Sequence, residues 1–186
     1  MPCMAYQPPR VDFMDPARAL AHAQLKTGMT VADLGAGAGF LSLLAARQVG
    51  PTGTIYAVDI LQDNLRAIRS QAALFRLANI VTVWADLEVP GSTKIGSQKC
   101  DVVLLFKVLC QQQAHENTLR EALRILRPGG LLMLVEWAEA RFGFCPPERI
   151  VQKKQAISLI ERLGAKLVEE HVIDNFHYML EFKAGT

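Results

Sequence analysis

The sequence predicts a single α/β domain built around a Rossmann-like, doubly wound sheet, and three observations carry this prediction. From residue 30 onward, short apolar runs alternate with amphipathic segments, as in a chain that repeats strand and helix. The runs are almost continuously apolar, which is typical of parallel strands buried on both faces. A glycine-rich turn follows the first run, at the point where such sheets bind ligands. The 186 residues, 51% hydrophobic and 20% charged, fit one globular domain over 1–186.

The elements follow in a regular order along the chain. Residues 1–14 are rich in proline and are expected to form an irregular arm. A short helix is expected over 15–25, with Asp15 as its cap and Pro16 at the first helical position. The strand candidates are residues 30–34, 54–58, 80–84, 102–106, 131–137, 166–173 and 177–183. The last two lie close enough in sequence to pair antiparallel at the end of the sheet.

Helices are expected in the intervals between the strands. Apolar residues recur at helical spacing in 61–75 and in 119–126, which predicts that one face of each segment packs on the sheet. The second of these helices is expected to stop at the Arg-Pro-Gly-Gly turn of residues 127–130. A further helix is expected over 147–163, ended by Gly164 as its C-terminal cap.

Charge and cysteine content narrow the function classes. The formal net charge is +2 and basic residues do not cluster into a track, so no nucleic-acid partner is expected. The four cysteines include no Cys-x-x-Cys pair, so neither a disulfide framework nor a metal site is predicted. The first residues lack the charged and apolar regions of a secretory signal, and no apolar stretch approaches the roughly twenty residues of a spanning helix. We therefore expect a cytoplasmic protein with no membrane partner.

The most informative segment is the turn Asp33-Leu34-Gly35-Ala36-Gly37-Ala38-Gly39-Phe40. Its glycines let a ligand approach the backbone, and the following helix offers N–H groups to an anion. The dinucleotide fingerprint needs a glycine where Phe40 stands, and Asp33 would repel a pyrophosphate but attract an ammonium group. An amino-acid end with both ammonium and carboxylate, such as the methionine end of S-adenosylmethionine, fits these features. The alternative is a tight turn that binds no ligand.

Two carboxylates follow the next strands. Asp59 closes the second strand about twenty residues beyond the loop, where nucleotide-binding sheets place a carboxylate on the ribose hydroxyls. As an alternative, Asp59 caps the next helix with Gln62 as its partner. Ile60 offers an apolar face for adenine, and Asp86 after the third strand offers an acceptor for the adenine amino group.

Together these segments resemble the class I S-adenosylmethionine-dependent methyltransferases over about residues 15–184. The resemblance rests on a glycine-rich first motif, an acidic end of the second strand, an adenine-binding turn, a fourth strand and the turn before the fifth, at residues 31–40, 55–60, 85–87, 100–106 and 126–132. The segment 176–182 is similar to the last strand of the small ubiquinone/menaquinone-methylase-like subgroup.

The resemblance implies a seven-stranded, mostly parallel sheet with an antiparallel C-terminal strand and helices on both faces. It also implies S-adenosylmethionine as the cofactor, with S-adenosylhomocysteine as the product. The implied cofactor-binding residues are Asp33, Gly35, Ala36, Gly37, Asp59, Ile60, Ala85, Asp86, Leu87 and Lys107. The late helices of quinone methylases and the cysteine set of arsenic methylases are not recognisable, so neither acceptor is expected.

Methyl transfer is an in-line displacement, to which a protein contributes mainly alignment and dehydration of the acceptor. The residues expected to face a small-molecule acceptor, at the ends of strands four and five, are Lys107, Cys110, Gln111, His115, Glu136 and Trp137. Among them, Glu136 in its apolar run and His115 are the candidate catalytic bases. Two other classes stay open: a non-catalytic S-adenosylmethionine-binding or interaction module and, less favoured by the loop, a nicotinamide-dependent oxidoreductase.

Overall fold

The computed structural model describes residues 15–139 and 145–185, so the expected arm at 1–14 lies outside the described residues. The strands are β1 (Thr30–Leu34), β2 (Thr54–Asp59), β3 (Ile80–Trp84), β4 (Cys100–Phe106), β5 (Leu126–Trp137), β6 (Ala165–His171) and β7 (His177–Ala184). The helices are α1 (Pro16–His22), α2 (Phe40–Val49), α3 (Gln62–Leu74), α4 (His115–Ile125) and α5 (Lys153–Arg162). Two short 3-10 turns are η1 (Leu109–Gln111) and η2 (Pro147–Arg149).

The seven strands form one sheet in the order β3-β2-β1-β4-β5-β7-β6. Strands β1 to β5 pair in parallel, whereas β7 runs antiparallel to both of its neighbours, β5 and β6. The doubly wound sheet with an antiparallel C-terminal strand is therefore confirmed. The chain leaves β1 toward β2 and β3 and then returns to β4 on the other side of β1. This reversal opens a crevice at the carboxyl ends of β1 and β4, which is where open α/β sheets bind ligands.

Helices cover both faces of the sheet, because alternate side chains of each strand point to opposite sides. In β4, Val103 and Leu105 belong to one core cluster, which α4 and α5 also enter. Val102 and Leu104 belong to the other, with α1 and α2. Within residues 15–139 and 145–185, no helix is long and apolar enough to cross a membrane.

One helix begins later than the sequence predicts. The segment expected to be helical over 147–163 opens with η2, and α5 starts only at Lys153. The start is fixed by a capping box, in which the side chain of Gln155 accepts the backbone N–H of Gln152 at 3.1 Å. The expected end is confirmed, since Gly164 follows the helix with a φ of +99°.

The fifth strand begins earlier than expected. Its first residue, Leu126, already pairs with Cys100, and the next pair is Leu131 with Val102. The predicted turn at residues 127–130 is therefore a bulge inside the strand rather than a break before it. An ion pair of 2.8 Å between Arg127 and the carboxylate of Asp101 connects the bulge to β4.

Candidate functional site

The glycine loop leaves β1 at the crevice and is tied to β2. The backbone N–H groups of Gly35 and Ala36 both donate to the carbonyl of Val58, at 2.8 and 2.9 Å. The loop then turns into α2, whose N-terminal cap is Gly39 and carries no side-chain hydrogen bond. The backbone N–H of Ser42, in the first turn of α2, donates to the carboxylate of Asp33. The cap residue Gly39 offers no side-chain acceptor to the N–H groups that precede Ser42 in this turn.

Two glycines of the loop are needed for different reasons. Both have a left-handed backbone, with φ of +52° at Gly37 and +85° at Gly39. A Cβ added at Gly39 would lie 2.4 Å from Cγ1 of Ile68, so this glycine allows the loop to pack on α3. A Cβ at Gly37 would meet no atom of the described residues within 4 Å. Gly37 therefore leaves open space in the cleft. Gly39 allows the loop to pack closely on a helix, a role that the third glycine of the dinucleotide fingerprint has one position later, where Phe40 stands here.

Two neighbouring clefts of about 260 Å³ each surround this loop. They share Gly35, Gly37 and Gln111, and so form one groove on both sides of the loop. The first also contains the predicted residues Asp59, Ile60, Ala85, Asp86 and Leu87. The second also contains the predicted residues Asp33, Ala36 and Lys107. The fold therefore brings together every residue that the sequence assigns to the cofactor.

Asp59 connects the loop to the start of α3. Its Oδ2 accepts the N–H of Gly37 and its Oδ1 accepts the N–H of Leu61, both at 2.8 Å. The N-terminal cap of α3 is Leu61, without a side-chain cap, so the capping box with Gln62 is not formed. A carboxylate has about four lone-pair positions, and one on each oxygen is still available for a further donor in the cleft.

Asp33 is a buried carboxylate beside the same loop. Its Oδ2 accepts the hydroxyl of Ser42 at 2.6 Å. Burial raises the pKa of Asp33 to about 6, nearby Asp59 raises it further, and the hydrogen bonds from Ser42 oppose both effects. No ion pair to Asp33 occurs among the described residues, so a cationic ligand group would find an uncompensated carboxylate here.

The far end of the first cleft combines an apolar rim with an acceptor. Ile60 is 54% exposed, and its carbonyl accepts Nε1 of Trp84 at 2.8 Å. Ala85 and Leu87 are buried on either side of Asp86. Oδ1 of Asp86 accepts the N–H of Glu88 at 2.9 Å, which orients this carboxylate at the cleft. This end suits a flat heterocycle that carries an amino group.

Lys107 marks the carboxyl end of β4 with an unusual backbone. Its φ of +57° is left-handed, a conformation that costs a non-glycine residue about 1–3 kcal/mol and often marks a functional turn. Its N–H donates to the carbonyl of Val135 at 2.7 Å, and its own carbonyl accepts Nε2 of Gln111 at 2.8 Å. Its ammonium lies 5.8 Å from the centre of the Trp137 ring. The turn directs the chain across the groove into η1.

The two candidate bases, Glu136 and His115, contact η1 and the segment that follows it. Glu136 is 1% exposed, and its Oε1 accepts the N–H of Leu109 in η1 at 2.6 Å. Burial raises the pKa of Glu136 to about 7, while hydrogen bonds from backbone N–H groups oppose the shift. A ring nitrogen of His115 lies 3.1 Å from the carbonyl of Gln112. Neither residue is among the described residues that line the two clefts, so the geometry does not bring them to the predicted cofactor residues.

The structure adds residues that the sequence did not single out. Asn64 and Glu88 line the first cleft. At the start of β7, Nδ1 of His177 lies 2.8 Å from Oδ2 of Asp174. The centres of the His177 and Trp137 rings are 4.1 Å apart. Nε2 of His177 is buried and has no hydrogen-bond partner among residues 15–139 and 145–185, and burial lowers the pKa of this imidazole. In the sequence, this pair could have been recognised from an aspartate and a histidine three residues apart at the start of an apolar strand.

Known proteins share both the sequence pattern and the fold. A family model described as "Methyltransferase domain" matches residues 25–184. An arsenite methyltransferase of Halobacterium salinarum is 31% identical over 110 residues, which cover 59% of this chain and 27% of that protein. A demethylmenaquinone methyltransferase of Symbiobacterium thermophilum is 29% identical over 134 residues, which cover 67% of this chain and 51% of that protein. The chain thus spans between about a quarter and a half of the length of these curated relatives.

The fold is also found among solved structures. The crystal structure of an S-adenosylmethionine-dependent methyltransferase from Aquifex aeolicus is similar to this chain, with a TM-score of 0.80 and 22% sequence identity. The similarity covers 95% of this chain and 93% of that one. At this identity the likeness concerns the fold alone, which agrees with the strand order described above.

Replacing Gly37 should mainly change ligand affinity, whereas replacing Gly39 should mainly change the stability of the fold. Gly37→Ala should keep the fold apart from roughly 1–2 kcal/mol of left-handed strain, yet weaken S-adenosylhomocysteine binding, because its methyl group enters the cleft. Gly39→Ala should lower the free energy of unfolding more, because its Cβ overlaps Ile68. Urea unfolding and calorimetric titration measure the two effects. Unchanged affinity in Gly37→Ala would remove the assignment of this position to the ligand.

Proposed function

The chain belongs to the class I S-adenosylmethionine-dependent methyltransferases, and from this premise we propose that it transfers the methyl group to a small organic acceptor. S-adenosylmethionine is the cofactor. The observation that carries the proposal is the groove around the glycine loop, with a buried carboxylate, Asp33, on one side and Asp59 on the other. When bound, the cofactor supplies an electrophilic methyl group on a sulfonium sulfur.

The methionine end of the cofactor is assigned to the second cleft. The uncompensated carboxylate of Asp33 is suited to the ammonium group. The N-terminus of α2, where the cap residue Gly39 has no side chain, is suited to the carboxylate of the cofactor. Gly37 allows the ligand to lie against the backbone between these two sites. An ammonium group beside Asp33 would supply the missing positive partner of a buried charge.

The nucleoside end is assigned to the first cleft. Asp59 is held in place by two backbone donors and keeps lone pairs for the ribose hydroxyls. Ile60 provides an exposed apolar surface for one face of adenine. Asp86, oriented by the Glu88 N–H, provides the acceptor for the adenine amino group.

The acceptor is assigned to the edge formed by the carboxyl ends of β4 and β5 and by the start of β7. Lys107 and Gln111 line the second cleft there, and Trp137 lies next to Lys107. Asp174 accepts from Nδ1 of His177 and leaves Nε2 as a hydrogen-bond acceptor at this edge. We assign Glu136 to positioning, because its carboxylate holds the N–H of Leu109 and thereby fixes η1 beside the groove.

Two acceptors named for the relatives are disfavoured for this chain. Arsenite is bound best by thiolates, since they are the soft ligands of proteins. Cys100, Cys110 and Cys145 are buried free thiols, burial raises the pKa of each, and none of the three lines either cleft. A quinone needs an extended apolar surface, whereas Lys107 and Gln111 line this groove. The free thiols also agree with the reducing cytoplasm, where we propose that the protein acts.

Turnover tests the proposed function directly. The full chain is incubated with S-adenosylmethionine and pools of small organic acceptors, and S-adenosylhomocysteine formation is measured. We expect acceptor-dependent product with the wild type and with the control Val172→Ala, whose side chain is 96% exposed. Asp59→Ala should lose most of the product, because it removes the ribose acceptor and the anchor of Gly37. Cofactor binding without turnover in any pool would instead favour the non-catalytic binding module.

Asp33 predicts a pH dependence of cofactor binding. Its pKa is raised to about 6 in the free protein, and a bound ammonium group would lower it, so binding should release protons near pH 6. Affinity for S-adenosylhomocysteine should therefore fall as the pH drops below about 6, approaching tenfold per pH unit. The free energy of unfolding of the ligand-free protein should depend on pH in the opposite way. Because the folded protein holds the proton of Asp33 more tightly than the unfolded chain, Asp33 stabilises the fold at a pH below its ordinary pKa. This stabilisation is lost as the pH rises through about 6.

The measurement is calorimetric titration between pH 5 and 7.5 in buffers of different ionisation enthalpy, which counts the protons released. Asp33→Asn is the matched variant, because it keeps the shape and the Ser42 contact but cannot titrate. It should bind more weakly at pH 7 and show no proton release near pH 6. Equal proton release in wild type and Asp33→Asn would show that another group faces the ammonium.

A further inference from the structure

A second cluster of polar side chains joins the two ends of the described chain. It contains His22 at the end of α1, His171 at the end of β6 and Glu181 in β7. One nitrogen or oxygen atom of each lies within 4.8 Å of those of the other two. None of the three lines the groove around the glycine loop, so the cluster lies outside the site assigned to methyl transfer.

The contacts inside this cluster are close. Nε2 of His171 lies 2.9 Å from Oε1 of Glu181, and the centres of the His22 and His171 rings are 4.0 Å apart. The side chains of His171 and Glu181 are only 12% and 10% exposed, whereas His22 is exposed. Oε1 of Glu169 lies 3.9 Å from Nδ1, the other ring nitrogen of His171.

Electrostatics favours a cation at this place. Glu181 is a nearly buried carboxylate on the sheet face that Met179 shares with the core, and a buried charge needs a compensating partner. A divalent cation compensates the carboxylate while both imidazoles stay neutral and use their lone pairs as ligands.

We propose that His22, His171 and Glu181 form a binding site for Zn²⁺. Two imidazoles and one carboxylate are a common zinc ligand set, with a fourth position left for water. Bond lengths of about 2.0–2.2 Å in a tetrahedron place ligand atoms roughly 3.3–3.5 Å apart. In the structure, Nε2 of His171 and Oε1 of Glu181 are 2.9 Å apart, and the other ligand atoms lie within 4.8 Å of one another. Small side-chain rotations would bring these separations to the tetrahedral values. Glu169 is placed to orient His171 through the other ring nitrogen.

A metal at this place connects α1 to the last two strands. Leu20 in α1 is fully buried in the same core cluster as Met179 of β7, so the helix already packs on this face. Coordination by His22 adds a direct bond from the end of that helix to the sheet. The site should therefore slow amide hydrogen exchange in α1 when Zn²⁺ is present, because local opening would require release of the metal.

The test uses the full chain, first treated with a chelator and then titrated with Zn²⁺. We expect one equivalent to bind and the thermal midpoint to rise, and Co²⁺ in its place to give the visible absorption of a four-coordinate centre. His22→Ala and His171→Ala should each weaken binding at least tenfold. His115→Ala removes an imidazole outside the cluster and should bind Zn²⁺ as the wild type does.

Two results would overturn the proposal: no change of midpoint with Zn²⁺ in excess over protein, or equal affinity in wild type and His22→Ala. Since His22 is exposed, its replacement leaves the fold intact and keeps the test decisive even if Glu181→Gln does not fold. Binding of S-adenosylhomocysteine by His22→Ala, measured in parallel, should equal that of the wild type. A failure of the zinc site is therefore distinguishable from a failure of the proposed methyl transfer.

Discussion

The carboxylate of Asp59 holds the functional edge of the sheet together. One of its oxygens accepts the N–H of Gly37 in the loop after β1, and the other accepts the N–H of Leu61 before α3. Three segments thus share one anion at the crevice where the sheet reverses direction. These two hydrogen bonds join the loop at Gly37 to the segment that carries Ile60, and Gly37, Asp59 and Ile60 all line the first cleft.

Two other buried carboxylates show how the same chemical group acquires different roles. Glu136 is surrounded by backbone N–H groups around η1, so its hydrogen bonds are provided by the fold itself. Asp33 has one hydroxyl partner, Ser42, and opens on the groove. Burial raises the pKa of both side chains, yet only Asp33 is placed to gain from a cationic ligand. Partners, rather than burial, separate a structural carboxylate from one that is suited to a ligand.

Sequence patterns predicted the features that depend on neighbouring residues. Apolar runs located the seven strands of the described residues, and the glycine spacing located the loop between β1 and α2. Features that depend on distant residues were missed. The hydrogen bond from the N–H of Leu109 to the carboxylate of Glu136 was not predicted, because η1 lies in another segment of the chain. The proximity of His22 and His171 was likewise not predicted, because it arises only through packing of α1 on the sheet.

We propose that both sides of the glycine loop hold one molecule of S-adenosylmethionine, between Asp33 and Asp59. A crystal structure of the full chain with S-adenosylhomocysteine is the direct test. We expect the amino group of the ligand within hydrogen-bond distance of Asp33, both ribose hydroxyls on Asp59, and adenine between Ile60 and Asp86. A ligand bound at another edge of the sheet, or one whose ribose does not contact Asp59, would contradict it.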